Sequence, residues 1–153
     1  MRKDRKKLLL YIAIPLVVGG LAAALSGNMG AGYQNYVRPP FSPPGWVFGV
    51  VWPILYGLMG YASYLVATAA GDNKGAMKLY WIQLALNFLW PILFFRFDLV
   101  LGALMLLVVL WFAVLLTIRA FSVVLERAGD LLIPYILWLS FALYLNFGIF
   151  LLN

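Results

Sequence analysis

Charge is confined to short stretches of this chain. Between them lie five uncharged runs: Leu8–Ser26, Gly45–Gly71, Leu79–Phe95, Leu99–Ile118 and Leu131–Asn153. A helix needs about 17–25 apolar residues to cross hydrocarbon, and every run is long enough, the second taking in some loop at its end. A chain of 153 residues cannot bury five such helices in a water-soluble core. Only a bilayer solvates them, and helices satisfy their own backbone groups there. The predicted fold class is an all-α membrane protein, a bundle of five transmembrane helices forming one domain over 1–153. The spans are expected at 8–26, 45–69, 79–95, 99–119 and 131–152.

The first run has a second reading. Arg2, Lys3, Arg5, Lys6 and Lys7 precede it, and Ala22 and Ala24 give a small-x-small site. That is also the pattern of a signal peptide cleaved after Ala24.

If all five runs span, the termini lie on opposite sides. Arg2, Lys3, Arg5, Lys6, Lys7, Lys74, Lys78, Arg119 and Arg127 then share one side, and only Arg38 and Arg96 lie on the other. The positive-inside rule predicts a cytoplasmic N-terminus and a C-terminus across the membrane. Topology and attraction to anionic lipid account for the basic tail, so no nucleic-acid partner is implied.

Composition excludes several chemistries. The chain has no cysteine and no histidine, which removes disulfides, thiolate metal sites, a cysteine nucleophile, the commonest general base and the usual haem ligand. No charged residue lies well inside a run, so a proton-coupled pump or a Schiff-base photoreceptor is not expected. The glycines are not followed by a P-loop lysine. What remains is aromatic and amide chemistry, from 6 Trp, 9 Tyr and 11 Phe. Trp46, Trp81 and Trp111 suit the interfacial belt. Trp52, Trp90 and Trp138 lie deeper and have partners at helical spacing: Trp52 with Tyr56; Gln83, Asn87 and Trp90; Tyr135, Trp138, Ala142 and Asn146. Such faces serve either as interhelical packing or as the walls of a site for a flat, largely apolar ligand.

The first loop, 27–44, carries Pro39, Pro40, Pro43 and Pro44 and is expected to be stiff and locally extended, as a lid or binding rim would be. Only Arg96, Phe97 and Asp98 separate the third and fourth runs, which predicts a tight hairpin. Gly45 and Gly49, Gly19 and Ala23, and Gly20 and Ala24 are small-xxx-small pairs that suit dimerisation or intramolecular packing. Pro91 is expected to kink the third helix.

The segments RPPFSPPGWVFGVVWPILYGLMGYASYLV (38–66), QLALNFLWPILFF (83–95) and LLIPYILWLSFALYLNF (131–147) resemble the TspO family of translocator proteins. The family is also called tryptophan-rich sensory protein or peripheral benzodiazepine receptor, and the likeness is to a bacterial-type member. It implies a homodimeric five-helix bundle with a pocket beneath the first loop, which serves as a lid. It also implies that the first run is retained as a helix. The implied function is a membrane receptor or sensor for tetrapyrroles such as protoporphyrin IX. Other implied partners are lipid or sterol and benzodiazepine- or isoquinoline-type drugs. No obligatory cofactor or metal is implied; porphyrin enters as ligand.

Carried over position by position, the pocket tryptophans match Trp52 and Trp138, the helix-three asparagine Asn87, the small residue of the steroid- and drug-sensitive site Ala142, and the loop tyrosine Tyr33. The expected ligand-binding set is Tyr33, Arg38, Trp52, Tyr56, Asn87, Trp90, Trp138, Ala142 and Asn146. In it Trp52 and Trp138 offer stacking faces, Asn87 donates to a ligand carbonyl or propionate, and Arg38 meets a carboxylate. Gly32 and Phe41 stand where the family has loop tryptophans. Phe147 replaces the tyrosine of the animal cholesterol motif, and no basic residue follows it. The competing functions are transport of porphyrin or lipid, light-dependent porphyrin degradation through Trp52 and Trp138, and a structural bundle with no pocket. An absence of coupling charges or paired broken helices speaks against secondary transport.

Overall fold

The computed structural model describes residues 2–27 and 29–153, with only the backbone of Arg2 and Lys3. Every regular element among the described residues is helical: α1 (Arg2–Leu25), α2 (Met29–Asn35), α3 (Trp46–Ala67), α4 (Lys74–Pro91), α5 (Val100–Val124), α6 (Glu126–Asp130) and α7 (Ile133–Leu152). A π turn, Ile92–Arg96, continues α4. Five segments are long and apolar enough to cross a bilayer: 4–25, 46–67, 74–96, 100–124 and 126–152.

Three helices run past the uncharged stretches. α1 extends back through the basic tail, α4 begins at Lys74, and α5 continues beyond Arg119 to Val124. Charge marks where hydrocarbon ends, not where a helix ends, because a hydrated lysine or arginine is a good helix former.

The first loop departs from the expectation of an extended segment. Its first half forms α2, because all four of its prolines lie later, at 39, 40, 43 and 44. The proline-bearing half is pinned to the turn before α5 and to α7. Tyr36 Oη donates to Asp98 Oδ1 at 2.7 Å and Tyr144 Oη to the Pro40 carbonyl at 2.6 Å. The Asn153 amide pairs with both backbone groups of Val37, at 3.1 and 2.8 Å. Pro39 is buried, and a Cβ at Gly148 would overlap its ring.

At Pro91 the expected break takes the form of a change of helix type. Proline cannot donate to the Asn87 carbonyl, and the chain widens into the π turn, where Phe97 N–H bonds the Ile92 carbonyl at 3.2 Å. π turns of this kind are local features inserted into α-helices. Asp98, at φ 51°, then reverses the chain into α5. Aspartate tolerates this left-handed conformation better than most residues.

α1 packs on α3 and α4, α4 on α5, and α5 on α7. α3 and α7 meet through large rings, Trp52 with Tyr135 and Phe48 with Trp138. The interior on the side of the basic N-terminal tail is filled by Met59, Val66, Tyr80, Leu110, Val114 and Phe121. There Tyr80 stacks on Phe121 with centroids 5.8 Å apart. On the side of the first loop the interior is not filled.

Candidate functional site

The unfilled half of the bundle is a cavity of about 460 Å³ walled by α1, α2, α3, the α4–π segment and α7. That volume is in the range of small-molecule sites, about 300–1,000 Å³. Two stacked ring pairs, each at helical i,i+4 spacing, line it. Trp52 and Tyr56 of α3 lie 5.5 Å apart at 28°. Trp90 and Phe94 lie 5.3 Å apart at 29°. Tyr33 of α2 covers the end, held by its hydroxyl's 2.7 Å bond to the Pro43 carbonyl and by an edge contact with Phe48. Small residues leave the space: Gly19, Gly20, Gly49 and Ala142 all line it.

Gly45 and Gly49 therefore make no close helix contact within the chain. Both face the cavity, and a Cβ on Gly49 would meet nothing within 4 Å. The tight helix contact falls instead at Gly60, whose Cβ position overlaps the Ile12 backbone, and at Gly19, against the Tyr56 ring.

Beneath the cavity a chain of hydrogen bonds ties three helices. Tyr56 Oη donates to Asn87 Oδ1 (2.9 Å), Asn87 Nδ2 to Tyr135 Oη (2.7 Å), and Tyr135 Oη to Gln83 Oε1 (2.8 Å). At the other wall Trp90 Nε1 donates to Asn146 Oδ1 (3.1 Å), whose amide donates to the Val100 carbonyl (3.1 Å). All these side chains are buried or half-buried. Asn87 and Asn146 are thus engaged with neighbours. Asn87, which lines the cavity, keeps one N–H and one lone pair beyond these bonds by its donor inventory. Pro53 and Pro91 also line the cavity. Neither has an N–H for the carbonyl one turn back, so Gly49 and Asn87 carry backbone acceptors without their helical donors beside the site.

Of the residues expected to bind ligand, Tyr33, Trp52, Tyr56, Asn87, Trp90, Ala142 and Asn146 line this one cavity. Trp138 and Arg38 do not. Trp138 stands behind Trp52, edge-on at 6.4 Å and 89°, and its buried Nε1–H has no partner among the described residues. Phe48, which meets it at 5.6 Å, takes the place at the wall. Arg38 is exposed and lies over the Tyr33 ring, its guanidinium carbon 4.7 Å from the ring centroid. That cation–π contact engages its guanidinium with the loop itself. Phe48, Phe94 and Phe95 were not anticipated. The first two sit four residues from Trp52 and Trp90, a spacing visible in the sequence. Among the described residues no cluster of acidic side chains could hold a metal ion.

A multi-pass membrane bundle enclosing an aromatic, ligand-sized cavity is the class of protein these features define. The model of the TspO/MBR family matches residues 11–152, and the chain belongs to that family. It is 38 % identical over 157 residues to the tryptophan-rich protein TspO of Chlorobaculum tepidum, covering 100 % of this chain and 99 % of that protein. The TspO of Archaeoglobus fulgidus is 41 % identical over 122 residues, 79 % of each chain. The translocator protein of Bos taurus is 37 % identical over 147 residues, 88 % of this chain and 87 % of its own.

Proposed function

We propose that this protein is a membrane receptor or sensor whose cavity takes a flat, largely apolar ligand of the tetrapyrrole class, with a metal-free ring such as protoporphyrin IX as the type case. The observation that carries this reading is the pair of stacked aromatic walls, Trp52–Tyr56 and Trp90–Phe94, facing one apolar space. Offset ring faces bind flat π-systems through area and quadrupole alignment. The amides are largely engaged with each other, so the ligand is held by its faces rather than by a dense set of polar contacts. The free acceptors at Gly49 and Asn87 suit ring N–H groups. With no histidine or cysteine in the chain, iron has no common protein ligand here. The first loop acts as a lid: Tyr33 closes the cavity, and the straps to Asp98, Tyr144 and Asn153 hold the loop down.

Titration of the detergent-solubilised protein with protoporphyrin IX in the dark, read as quenching of tryptophan emission, tests this. Saturable quenching that weakens in Trp52→Leu is expected. Non-saturating quenching, equal in both proteins and in empty micelles, would replace this reading by a structural one.

A further inference from the structure

The cavity also has a side facing the bilayer. α1 and α3 run antiparallel and pack on each other, with contacts that change in kind along their length. Toward the basic side their backbones touch, with Gly60 against Tyr11 and Ile12. Further along, the Tyr56 ring stands between them, against Gly19. Beyond that ring, a Cβ at Gly20 or Gly49 would meet nothing within 4 Å. On α1 the exposed positions 9, 10, 13, 16, 17, 20, 21, 24 and 25 form one stripe on the outside of the bundle. Leu16, 40 % exposed, and Gly20 belong both to that stripe and to the cavity lining. On α3, Gly49 and Pro53 do the same. The cavity therefore reaches the outer edges of both helices where both have given up side-chain volume.

We infer that this gap is a lateral portal, through which ligand passes between the cavity and the hydrocarbon of the leaflet on the loop side. The inference rests on the proposed occupancy of the cavity by an apolar ligand and adds its source: molecules dissolved in the membrane. The loop end of the cavity is closed by hydrogen bonds to the turn before α5 and to two points along α7, and opening it requires breaking several at once. The α1–α3 gap has no hydrogen bond across it among those described and is edged by glycine. An apolar molecule on that route never leaves an apolar medium, so it avoids the transfer into water, about 25 cal/mol per Å² of its surface. Pro53 adds a step for a ligand with N–H groups, since the Gly49 carbonyl at the portal lacks its helical donor.

The chain has no cysteine, so Ala24→Cys, on the same exposed stripe one turn beyond Gly20 and outside the cavity lining, gives a single thiol that can be blocked after folding. The protein would be placed in phosphatidylcholine nanodiscs. Association and release of protoporphyrin IX would be followed by stopped-flow tryptophan quenching, before and after reaction with a small methylthiolating reagent or a bulky aromatic maleimide. The bulky adduct is expected to slow association and release together by about tenfold or more, leaving Kd within about threefold. The methyl adduct should do less, and Tyr144→Phe, which cuts a loop strap, should leave both rates unchanged. Rates within about twofold of the unblocked protein would overturn the portal. So would faster release at unchanged association, because the adduct would then occupy the cavity rather than its side opening. Faster exchange in Tyr144→Phe would place the route under the loop instead. Absence of saturable binding in unmodified wild-type protein would mark failure of the ligand assignment itself.

Discussion

The Tyr56 hydroxyl donates to Asn87 Oδ1 at 2.9 Å, and the same amide donates to Tyr135. One side chain thus joins α3, α4 and α7 directly below the cavity. In membranes each such bond contributes about 0.6 kcal/mol on average. Asn87→Leu also strands the buried Tyr56 hydroxyl, while Tyr135 keeps its bond to Gln83, and an unsatisfied buried group costs about 1–3 kcal/mol. A fall in thermal midpoint in detergent is expected for Asn87→Leu, with a smaller one for Trp138→Phe, whose indole N–H has no partner to lose among the described residues. Equal midpoints for wild type and Asn87→Leu would contradict this.

Ala142 is buried at the cavity wall. Ala142→Phe places a ring in empty space, so porphyrin affinity should fall by about tenfold or more while the melting temperature moves little. Trp52→Leu should weaken binding more than Trp138→Phe, because Trp52 lines the cavity and Trp138 supports it from behind. Quenching titrations of the three variants decide the order; a larger loss in Trp138→Phe would mean the ligand reaches past Trp52.

Two glycines of α3 separate packing from composition. A Cβ at Gly60 overlaps the Ile12 backbone, whereas one at Gly57 meets nothing within 4 Å. Gly60→Ala should lose about 1–3 kcal/mol, the usual range for overpacking, and Gly57→Ala should be neutral or gain slightly from helix propensity. Comparative thermal denaturation in one detergent tests the pair, and similar losses in both would refute the α1–α3 contact.

The strap between Tyr36 and Asp98 responds to alkali. Burial first, then the hydrogen bond to Asp98 and that residue's charge, pushes the Tyr36 pKa up to about 12, from an ordinary value of roughly 10. The folded state therefore holds this proton more tightly than the unfolded chain. Its contribution is fully present below roughly pH 10 and is lost as pH rises toward about 12. Mobility of the first loop, read from a spin label at the exposed Val37 through Val37→Cys, should increase across that window. Tyr36→Phe should abolish the pH dependence; its persistence would assign the transition to another group.

The distribution of basic residues predicts which side is which. A membrane-impermeant maleimide should label Val37→Cys in intact cells, and Ala70→Cys only after permeabilisation. The reverse pattern would invert the topology.

The number of spans and their approximate places were legible because hydrocarbon excludes charge, and that exclusion is written along one dimension. Helical spacing likewise placed Trp52 with Tyr56, and Asn87 with Trp90, since residues three or four apart share a face whatever surrounds the helix. The same arithmetic left Phe48 and Phe94 available to be noticed. What one dimension does not contain is the rotation of each helix about its axis and the crossing of its neighbours. Those decided that Trp138 backs Trp52 instead of lining the cavity, that Arg38 lies against the Tyr33 ring, that Gly49 opens space while Gly60 closes it, and that the Asn87 amide joins helices. A cavity is the volume that distant side chains together fail to fill, so it exists only once the tertiary structure has brought them side by side.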